Sequence, residues 1–208
     1  MARLEFFFDC SSPWTYLAFV RIRDILERVP AKVAWRPILV GGVFNAVNRE
    51  VYERRANPEP RKASYSEKDL QDWARLAGIR IGKPAVFPVR AVAAMRAVLA
   101  ADEAGALQPF ARAVFDLYWG ELKDISQPDV LAEAAGRAGL EPAGLLARSE
   151  APEIKERLRA NTEELIARGG FGSPTLFVNG DDMYFGNDRL PLVEAALVRA
   201  GAAEQTDR

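Results

Sequence analysis

The N-terminal part of the chain has the pattern strand–helix–strand, and this order limits the possible folds more than any other feature. Leu4 to Phe8 is short and aromatic, as expected of a buried strand. Ser12 and Pro13 predict the start of a helix, because serine is a favoured N-cap and proline at the first helical position loses no needed N–H group. A second strand is predicted over 32–40, ending at Gly41-Gly42. A β-α-β connection of this kind favours two parallel strands.

The C-terminal part of the chain returns to strands after Gly169-Gly170. A strand is predicted over Thr175 to Val178, and Asn179-Gly180 directly after it is a strong signal for a tight hairpin. Met183 to Phe185 is then expected to pair back, and Arg189 to Arg199 to form a closing helix. The chain therefore has strand signals at both ends.

The middle of the chain has a different character. Residues 44–63 are polar and contain Pro58 and Pro60, which predicts a long loop of the kind that is often functional. Helices are expected from Ser66 to Gly78, Val89 to Ala104, Pro109 to Trp119, Ser126 to Gly139 and Glu153 to Arg168. Helical spacing, N-capping residues and terminal glycines support these assignments.

This order of elements predicts an α/β fold. We expect a thioredoxin-like domain of the form β-α-β … α-β-β-α, built from 1–43 and 160–208, with a large all-helical insertion over 44–159. The alternative is an all-α bundle with a few added strands, and the Asn-Gly hairpin argues against it.

Composition excludes several kinds of chemistry. The 208 residues include no histidine and one cysteine, so a Ser-His-Asp triad, an intrachain disulfide and a CxxC redox pair are all impossible, and a zinc site is not expected. The net charge of −1 argues against a general nucleic-acid binder. No apolar run approaches the ~20 residues of a membrane helix, and no secretion signal is visible, so we expect a cytoplasmic protein with no membrane partner.

Three short segments place polar groups where they could bind a ligand. Ser12 lies at a strand-to-helix junction, where free N–H groups and the helix dipole favour an anion, although a serine at this position is more often only an N-cap. Pro174 after Ser173 is typical of a strand start. Asn187 and Asp188 precede a helix, and capping explains one of them but leaves the other free.

Two further residues carry weaker signals. Cys10 precedes the first helix without a partner cysteine, which indicates a buried and inert thiol. Lys62 lies in the predicted long loop, where a lysine is usually just solvated.

The sequence resembles the family of 2-hydroxychromene-2-carboxylate isomerases and kappa-class glutathione transferases, within the wider DsbA-like group of thioredoxin folds. Three blocks carry the resemblance: FFFDCSSPWTYLA, FGSPTLFV and FGNDRLPLVEAAL. Weaker support comes from WRPILVGGVFNAVN and DISQPDVLAEAAGRAGL. These blocks span nearly the whole chain in the order that the family has them.

The resemblance implies that glutathione is the cofactor and gives several residues a role. Ser12 takes the place of the first redox cysteine of thioredoxins and faces the glutathione thiol, with Thr15 where the second cysteine would stand. The peptide bond before Pro174 would be cis, and the backbone at Ser173 would pair with the cysteinyl unit. The remaining glutathione contacts would be Asn187 and Asp188 at the γ-glutamyl end, Lys62 at the glycine carboxylate, and Asn48, which aligns only across a gap.

The resemblance also implies an activity. It implies a glutathione-dependent isomerase that interconverts 2-hydroxychromene-2-carboxylate and trans-o-hydroxybenzylidenepyruvate, using a glutathione thiolate stabilised by Ser12. A kappa-like glutathione transferase and a redox-inactive thioredoxin-fold binding module are the alternatives. We expect a small aromatic carboxylate as substrate and a homodimer as the assembly. Pocket candidates are Trp14, Arg36, Lys62 and Trp119.

Overall fold

The computed structural model describes residues 1–206. It contains a four-stranded sheet of order β2-β1-β3-β4, with strands β1 (Arg3–Phe8), β2 (Lys32–Pro37), β3 (Thr175–Val178) and β4 (Asp182–Phe185). Strand β1 is parallel to β2 and antiparallel to β3, which is antiparallel to β4. The β-α-β opening and the C-terminal hairpin are therefore confirmed, and together they build one mixed sheet.

Most of the remaining chain is helical. The helices are α1 (Pro13–Arg28), α2 (Val40–Val47), α3 (Glu50–Ala56), α4 (Pro60–Leu76), α5 (Val92–Glu103), α6 (Leu107–Phe115), α7 (Pro128–Arg137), α8 (Pro142–Ser149), α9 (Pro152–Ala167) and α10 (Leu190–Thr206). A π-helical turn over Asp116–Gly120 extends α6, and a 3-10 turn over Asn187–Arg189 precedes α10. Within residues 1–206, none of these helices has the length and apolar character needed to cross a membrane.

The prediction of a long loop over residues 44–63 is wrong. That segment contains the end of α2, all of α3 and the start of α4. Pro60 begins a helix instead of breaking one, since it occupies the first turn and the Glu59 carboxylate accepts the backbone N–H groups of Arg61 and Lys62. Lys62 is therefore a helix residue and not a loop residue.

The second strand also ends earlier than predicted. Strand β2 stops at Pro37, and Gly41-Gly42 lies inside α2 and not at a strand end. Helix α2 packs on α9, where the Thr162 hydroxyl accepts the N–H of Leu39 at 3.0 Å. A Cβ atom on Gly42 would lie 3.3 Å from the Thr162 methyl group, so the glycine permits the close approach of the two helices. Tertiary packing on α9 accounts for the helix.

The sheet is buried on both faces, which explains the aromatic run in β1. Leu4, Phe6 and Phe8 point into a large apolar cluster that includes residues of α1 and α5–α8, whereas Phe7 points into a smaller cluster under α2 and α9. This alternation follows from the two-residue period of a strand. The large cluster joins the sheet to the helical segment in one continuous core. The α/β thioredoxin-like fold class is confirmed.

Candidate active site

The start of α1 is held by a serine that makes two hydrogen bonds. Ser12 has an extended backbone, and its hydroxyl oxygen accepts the N–H of Thr15 at 3.3 Å, which satisfies one free donor of the first helical turn. The same hydroxyl donates to the carbonyl oxygen of Ser173 at 3.3 Å. Ser12 is therefore an N-cap that also contacts the loop before β3.

Ser173 ties three segments of the chain together. Its hydroxyl accepts the backbone N–H of Asp9 at 3.0 Å and lies 2.8 Å from the hydroxyl of Thr15. The bond between Ser173 and Pro174 is cis, as the resemblance implied. The end of β1, the start of α1 and the start of β3 thus meet at one point.

Asp9 has a buried carboxylate, its backbone N–H donates to the Ser173 hydroxyl, and no role was predicted for it from the sequence. Its two carboxylate oxygens accept the backbone N–H groups of Ser11 and Val40, each at 2.8 Å. Complete burial raises the pKa of Asp9, and these hydrogen bonds oppose that rise. An acidic residue at the end of an apolar strand was the signal that could have found it. Asp9 fixes the loop that leads into α1.

Cys10 is buried, as predicted. Burial, and then the neighbouring charge of Asp9, raise the pKa of its thiol well above its usual range. Its backbone N–H donates to the sulfur of Met95, and its carbonyl oxygen accepts the indole N–H of Trp119 at 2.9 Å. A buried thiol that stays protonated is a poor nucleophile, so Cys10 is a packing residue.

Two neighbouring cavities open beside Ser12 and Ser173. Cavity A has a volume of about 870 Å³ and is lined by Ser12 together with residues of α2, α3, the segment 87–90 and the loop before β3. Cavity B has a volume of about 620 Å³ and is lined by residues of α4, β4 and the 3-10 turn. Trp14, Ser173 and Phe185 line both, so the two cavities share a wall at the start of α1.

Asn48 borders cavity A. It is the C-cap residue of α2, and its side-chain amide donates to the carbonyl oxygen of Phe171 at 3.0 Å. This hydrogen bond links α2 to the loop that carries Ser173. The amide therefore connects two residues that line cavity A.

Asn187 and Asp188 border cavity B and differ in their surroundings. Asn187 is buried, and its amide oxygen accepts a hydrogen bond from Arg21 at 2.6 Å. Asp188 has half of its side-chain surface exposed and pairs with Arg189 at 2.7 Å. Asn187 therefore anchors the turn to α1, whereas Asp188 and its partner Arg189 form a half-exposed ion pair in the wall of cavity B.

Three of the predicted pocket residues lie outside both cavity walls. Lys62 is exposed in the first turn of α4. Arg36 forms ion pairs with Glu5 and Glu164 beside β1. Trp119 is buried and packs edge-on against Phe87. Of the predicted pocket residues, Trp14 alone lines a cavity in the part of the chain that the structure describes.

Other residues that line cavity A were not predicted from the sequence. Arg54 and Arg55 in α3 and Phe87 in the segment after α4 all line it. The two arginines fall in the segment that was predicted to be a loop. Phe87 had no signal in the sequence. Among residues 1–206, no three cysteine or acidic side chains are grouped closely enough to hold a metal ion.

Comparisons with known proteins agree on one family. Residues 3–198 match the model of the DSBA-like thioredoxin domain. A 2-hydroxychromene-2-carboxylate isomerase of Pseudomonas putida is 31% identical over 205 residues, covering 94% of both chains. Glutathione S-transferase kappa 1 of Homo sapiens is 27% identical over 203 residues, covering 91% of this chain and 88% of that protein.

A solved structure extends the match to the whole fold. The structure of a selenomethionine 2-hydroxychromene-2-carboxylate isomerase has a TM-score of 0.82 at 26% identity and covers 99% of both chains. The chain therefore belongs to the DsbA-like thioredoxin family, in the branch that contains the 2-hydroxychromene-2-carboxylate isomerases and the kappa-class glutathione transferases.

Proposed function

We propose that this protein is a glutathione-dependent isomerase that interconverts 2-hydroxychromene-2-carboxylate and trans-o-hydroxybenzylidenepyruvate. The observation that carries the proposal is the position of Ser12, whose hydroxyl caps α1 at the wall between two cavities. A hydroxyl donor and a helix N-terminus together favour an anion at that point. The named relatives, which are isomerases and kappa-class transferases, support the same reading.

The residues of cavity B suit the γ-glutamyl end of glutathione. That end carries both a carboxylate and an ammonium group. Asp188 and Arg189 lie side by side in the cavity wall and offer one charge of each sign. Ser173 and Pro174 border the same cavity and connect it to Ser12. We therefore assign glutathione to cavity B, with its thiol at Ser12 and the aromatic substrate in cavity A.

Bound glutathione supplies a thiolate that can add reversibly to a conjugated electrophile. The task of this chain is to lower the pKa of the thiol, which is about 8.5 in free cysteine. The N-terminus of α1 contributes roughly 0.3–1 kcal/mol to an adjacent anion, and up to ~2 kcal/mol when partly buried. A charge-assisted hydrogen bond from Ser12 adds about 1.5–3 kcal/mol. At 1.36 kcal/mol per pKa unit, the helix N-terminus lowers the pKa of the thiol by roughly 0.2–0.7 unit, and by up to ~1.5 units when partly buried. The hydrogen bond from Ser12 lowers it by about 1–2 units, and the cost of desolvation opposes both.

The hydroxyl of Ser12 can be redirected toward a sulfur atom. It now donates to the Ser173 carbonyl oxygen at 3.3 Å, which is long for an O–H···O bond, whose usual length is about 2.7–2.8 Å. A weak existing bond costs little to give up. A serine hydroxyl has one proton, so donation to a thiolate replaces the bond to Ser173. The bond from Thr15 to the oxygen of Ser12 is unaffected, and the cap on α1 remains.

The experiment that tests the proposal is an isomerase assay on 2-hydroxychromene-2-carboxylate with three additions: no thiol, glutathione, and S-methylglutathione. Of the three additions, we expect only glutathione to support turnover, because S-methylglutathione binds but cannot form a thiolate. Turnover that does not depend on glutathione, or that S-methylglutathione supports equally, would overturn the mechanism.

A kappa-like transferase is the second candidate, supported by the human relative and by the aromatic walls of cavity A. A chlorinated nitrobenzene separates it from the isomerase. A transferase converts that electrophile to a stable thioether and releases chloride, whereas an isomerase returns glutathione unchanged. Stable adduct formation without isomerase activity would favour the transferase.

A redox-inactive module that binds peptides beside Pro174 is the third candidate. Calorimetry distinguishes it, because such a module would bind an extended peptide and not glutathione. The paired charges of Asp188 and Arg189 in cavity B favour glutathione.

The remaining expectations concern organisation. We propose from the family resemblance that the chain acts as a homodimer in the cytoplasm. We also propose that 44–159 is a helical insertion in a discontinuous domain formed by 1–43 and 160–208. Sedimentation analysis tests the first point, and folding of a variant with the insertion replaced by a short linker tests the second.

A further inference from the structure

Cavity A has a strongly one-sided charge. Three arginines line it, namely Arg54, Arg55 and Arg90, and no aspartate or glutamate lines it in the part of the chain that the structure describes. Most other exposed arginines of the helical segment are paired with carboxylates, as Arg137 is with Glu121 and Glu133. A cavity wall with unpaired cations attracts an anionic ligand.

Arg55 differs from the other two arginines because aromatic rings hold it. Its guanidinium carbon lies 5.5 Å from the centre of the Phe44 ring and 5.4 Å from the centre of the Phe87 ring. Both phenylalanines line cavity A as well. Cation–π contact on two rings restrains the side chain, so less conformational entropy is lost when a ligand binds. The N–H groups at the edge of the guanidinium remain available.

We propose that Arg55, held between Phe44 and Phe87, is the specificity-determining residue that binds the carboxylate of a planar aromatic substrate in cavity A. The planar guanidinium can donate two parallel hydrogen bonds to a carboxylate. The rings that restrain Arg55 also provide apolar faces on which an aromatic ligand can pack. This inference rests on the proposed function for the location of the substrate, and it adds the residue that selects an anionic substrate over a neutral one.

The test uses two ligands of nearly the same shape, 2-naphthoate and 2-naphthamide, of which the second has a neutral NH2 group in place of one carboxylate oxygen. Calorimetry without glutathione measures the affinity of the protein for each. We expect 2-naphthoate to bind the unmodified protein about tenfold more tightly than 2-naphthamide. A tenfold difference in affinity is at the lower end of the range that a hydrogen bond to a charged group contributes. The Arg55→Gln variant should lose that preference and keep its affinity for the amide.

Three further variants make the assignment specific. Arg61→Gln removes another exposed arginine, which belongs to the neighbouring helix and is outside both cavity walls, and it should keep the full preference. Arg55→Lys keeps the charge without the planar fork, so part of the preference should remain. Phe87→Leu removes one restraining ring and should weaken binding of the carboxylate more than binding of the amide.

Several outcomes would overturn the inference. One is equal affinity of the unmodified protein for the two ligands, or binding of neither. Another is an Arg55→Gln variant that keeps its preference, or an Arg61→Gln variant that loses it to the same extent. Weaker glutathione binding in Arg55→Gln with unchanged naphthoate binding would assign Arg55 to the cofactor instead. Because the naphthoate test needs neither glutathione nor turnover, its result is separate from that of the isomerase assay.

Discussion

The hydroxyl of Ser12 donates to the carbonyl oxygen of Ser173 at 3.3 Å, although the two residues are 161 positions apart in the chain. This contact brings the N-cap of α1 to the cis peptide bond before β3. The same hydroxyl oxygen accepts the N–H of Thr15. A single side chain therefore links a helix start, a strand start and the wall between two cavities.

Replacing Ser12 by alanine separates capping from catalysis. Loss of the cap should lower the free energy of unfolding by about 0.5–2 kcal/mol, and the fold should survive. Loss of the hydrogen bond should raise the pKa of the bound glutathione thiol and reduce turnover at neutral pH by roughly tenfold to a hundredfold, which corresponds to ~1.4–2.8 kcal/mol. Higher pH should restore part of the turnover. Thiolate absorbance measures the pKa of the bound glutathione thiol, and a pH–rate profile measures the turnover.

The matched control for Ser12→Ala is Glu141→Ala. The Glu141 carboxylate caps α8 by accepting the N–H groups of Ala143 and Gly144, and it lies outside both cavity walls. This variant should lose stability without any change in thiol pKa or turnover. If Ser12→Ala behaves in the same way as Glu141→Ala, Ser12 is a cap and nothing more.

Asn187 and Asp188 should give different phenotypes although they are adjacent. Asp188→Asn removes a half-exposed charge from cavity B, so we expect the Kd for glutathione to rise about tenfold with a change in stability below about 0.5 kcal/mol. Asn187→Ala removes the side-chain acceptor of Arg21, which keeps only the longer hydrogen bond to the backbone carbonyl oxygen of residue 187 at 3.3 Å, and should cost about 1–3 kcal/mol of stability. Calorimetry and urea unfolding measure the two quantities. Asp182→Asn, on β4 outside the cavity walls, is the control and should change neither.

Lys62 should contribute little to glutathione binding. Its side chain is exposed, and an ion pair in water is worth about 0–1 kcal/mol, so Lys62→Ala should raise the Kd no more than about fivefold. The effect should shrink as salt is added. The control is Lys68→Ala. Lys68 is an exposed lysine of the same helix and pairs with Asp72, so its removal should leave the Kd unchanged. A loss well above tenfold for Lys62→Ala would mean that α4 moves toward the ligand on binding.

Asp9 should give the protein a component of stability that falls as pH rises. Burial raises the pKa of Asp9, so between the usual and the raised pKa the folded chain holds a proton that the unfolded chain has released. Asp9→Asn removes this component and flattens the pH dependence of unfolding above pH ~4. It also leaves one of two backbone N–H groups unpaired, which costs about 1–3 kcal/mol at every pH.

Glu5 provides a control of opposite sign for the Asp9 experiment. Burial alone would raise the pKa of Glu5, but the hydrogen bond and charge of Arg168, with help from Arg36, hold it below its usual value. Its contribution to stability is present above the usual pKa and is lost as pH falls through the lowered one. Urea unfolding of Glu5→Gln should therefore show a weaker loss of stability in acid. Parallel slopes for Asp9→Asn and the unmodified protein would contradict the assignment for Asp9.

Local signals in the sequence located all four strands, although β2 ends earlier than predicted, and they located most of the long helices. Thr175–Val178 was predicted with the bounds that the structure has, and Asn179 and Gly180 both have the positive φ that a tight hairpin requires. Ser12 and Pro13 likewise begin α1 as predicted. These features depend on backbone preferences and on side-chain periodicity within a few residues, so neighbouring sequence is sufficient to find them.

Tertiary structure decided which polar groups meet. A short helix such as α2 is marginal by itself and is stabilised by packing on α9, so the polar segment that contains its end looked like a loop. Asp9 became a buried anchor because two backbone N–H groups converge on it. Arg55 and Phe87 meet across a cavity only after α3 and the segment following α4 are folded together. Periodicity along the chain determines which face of an element is apolar, whereas the charge and shape of a cavity depend on how distant elements pack against one another.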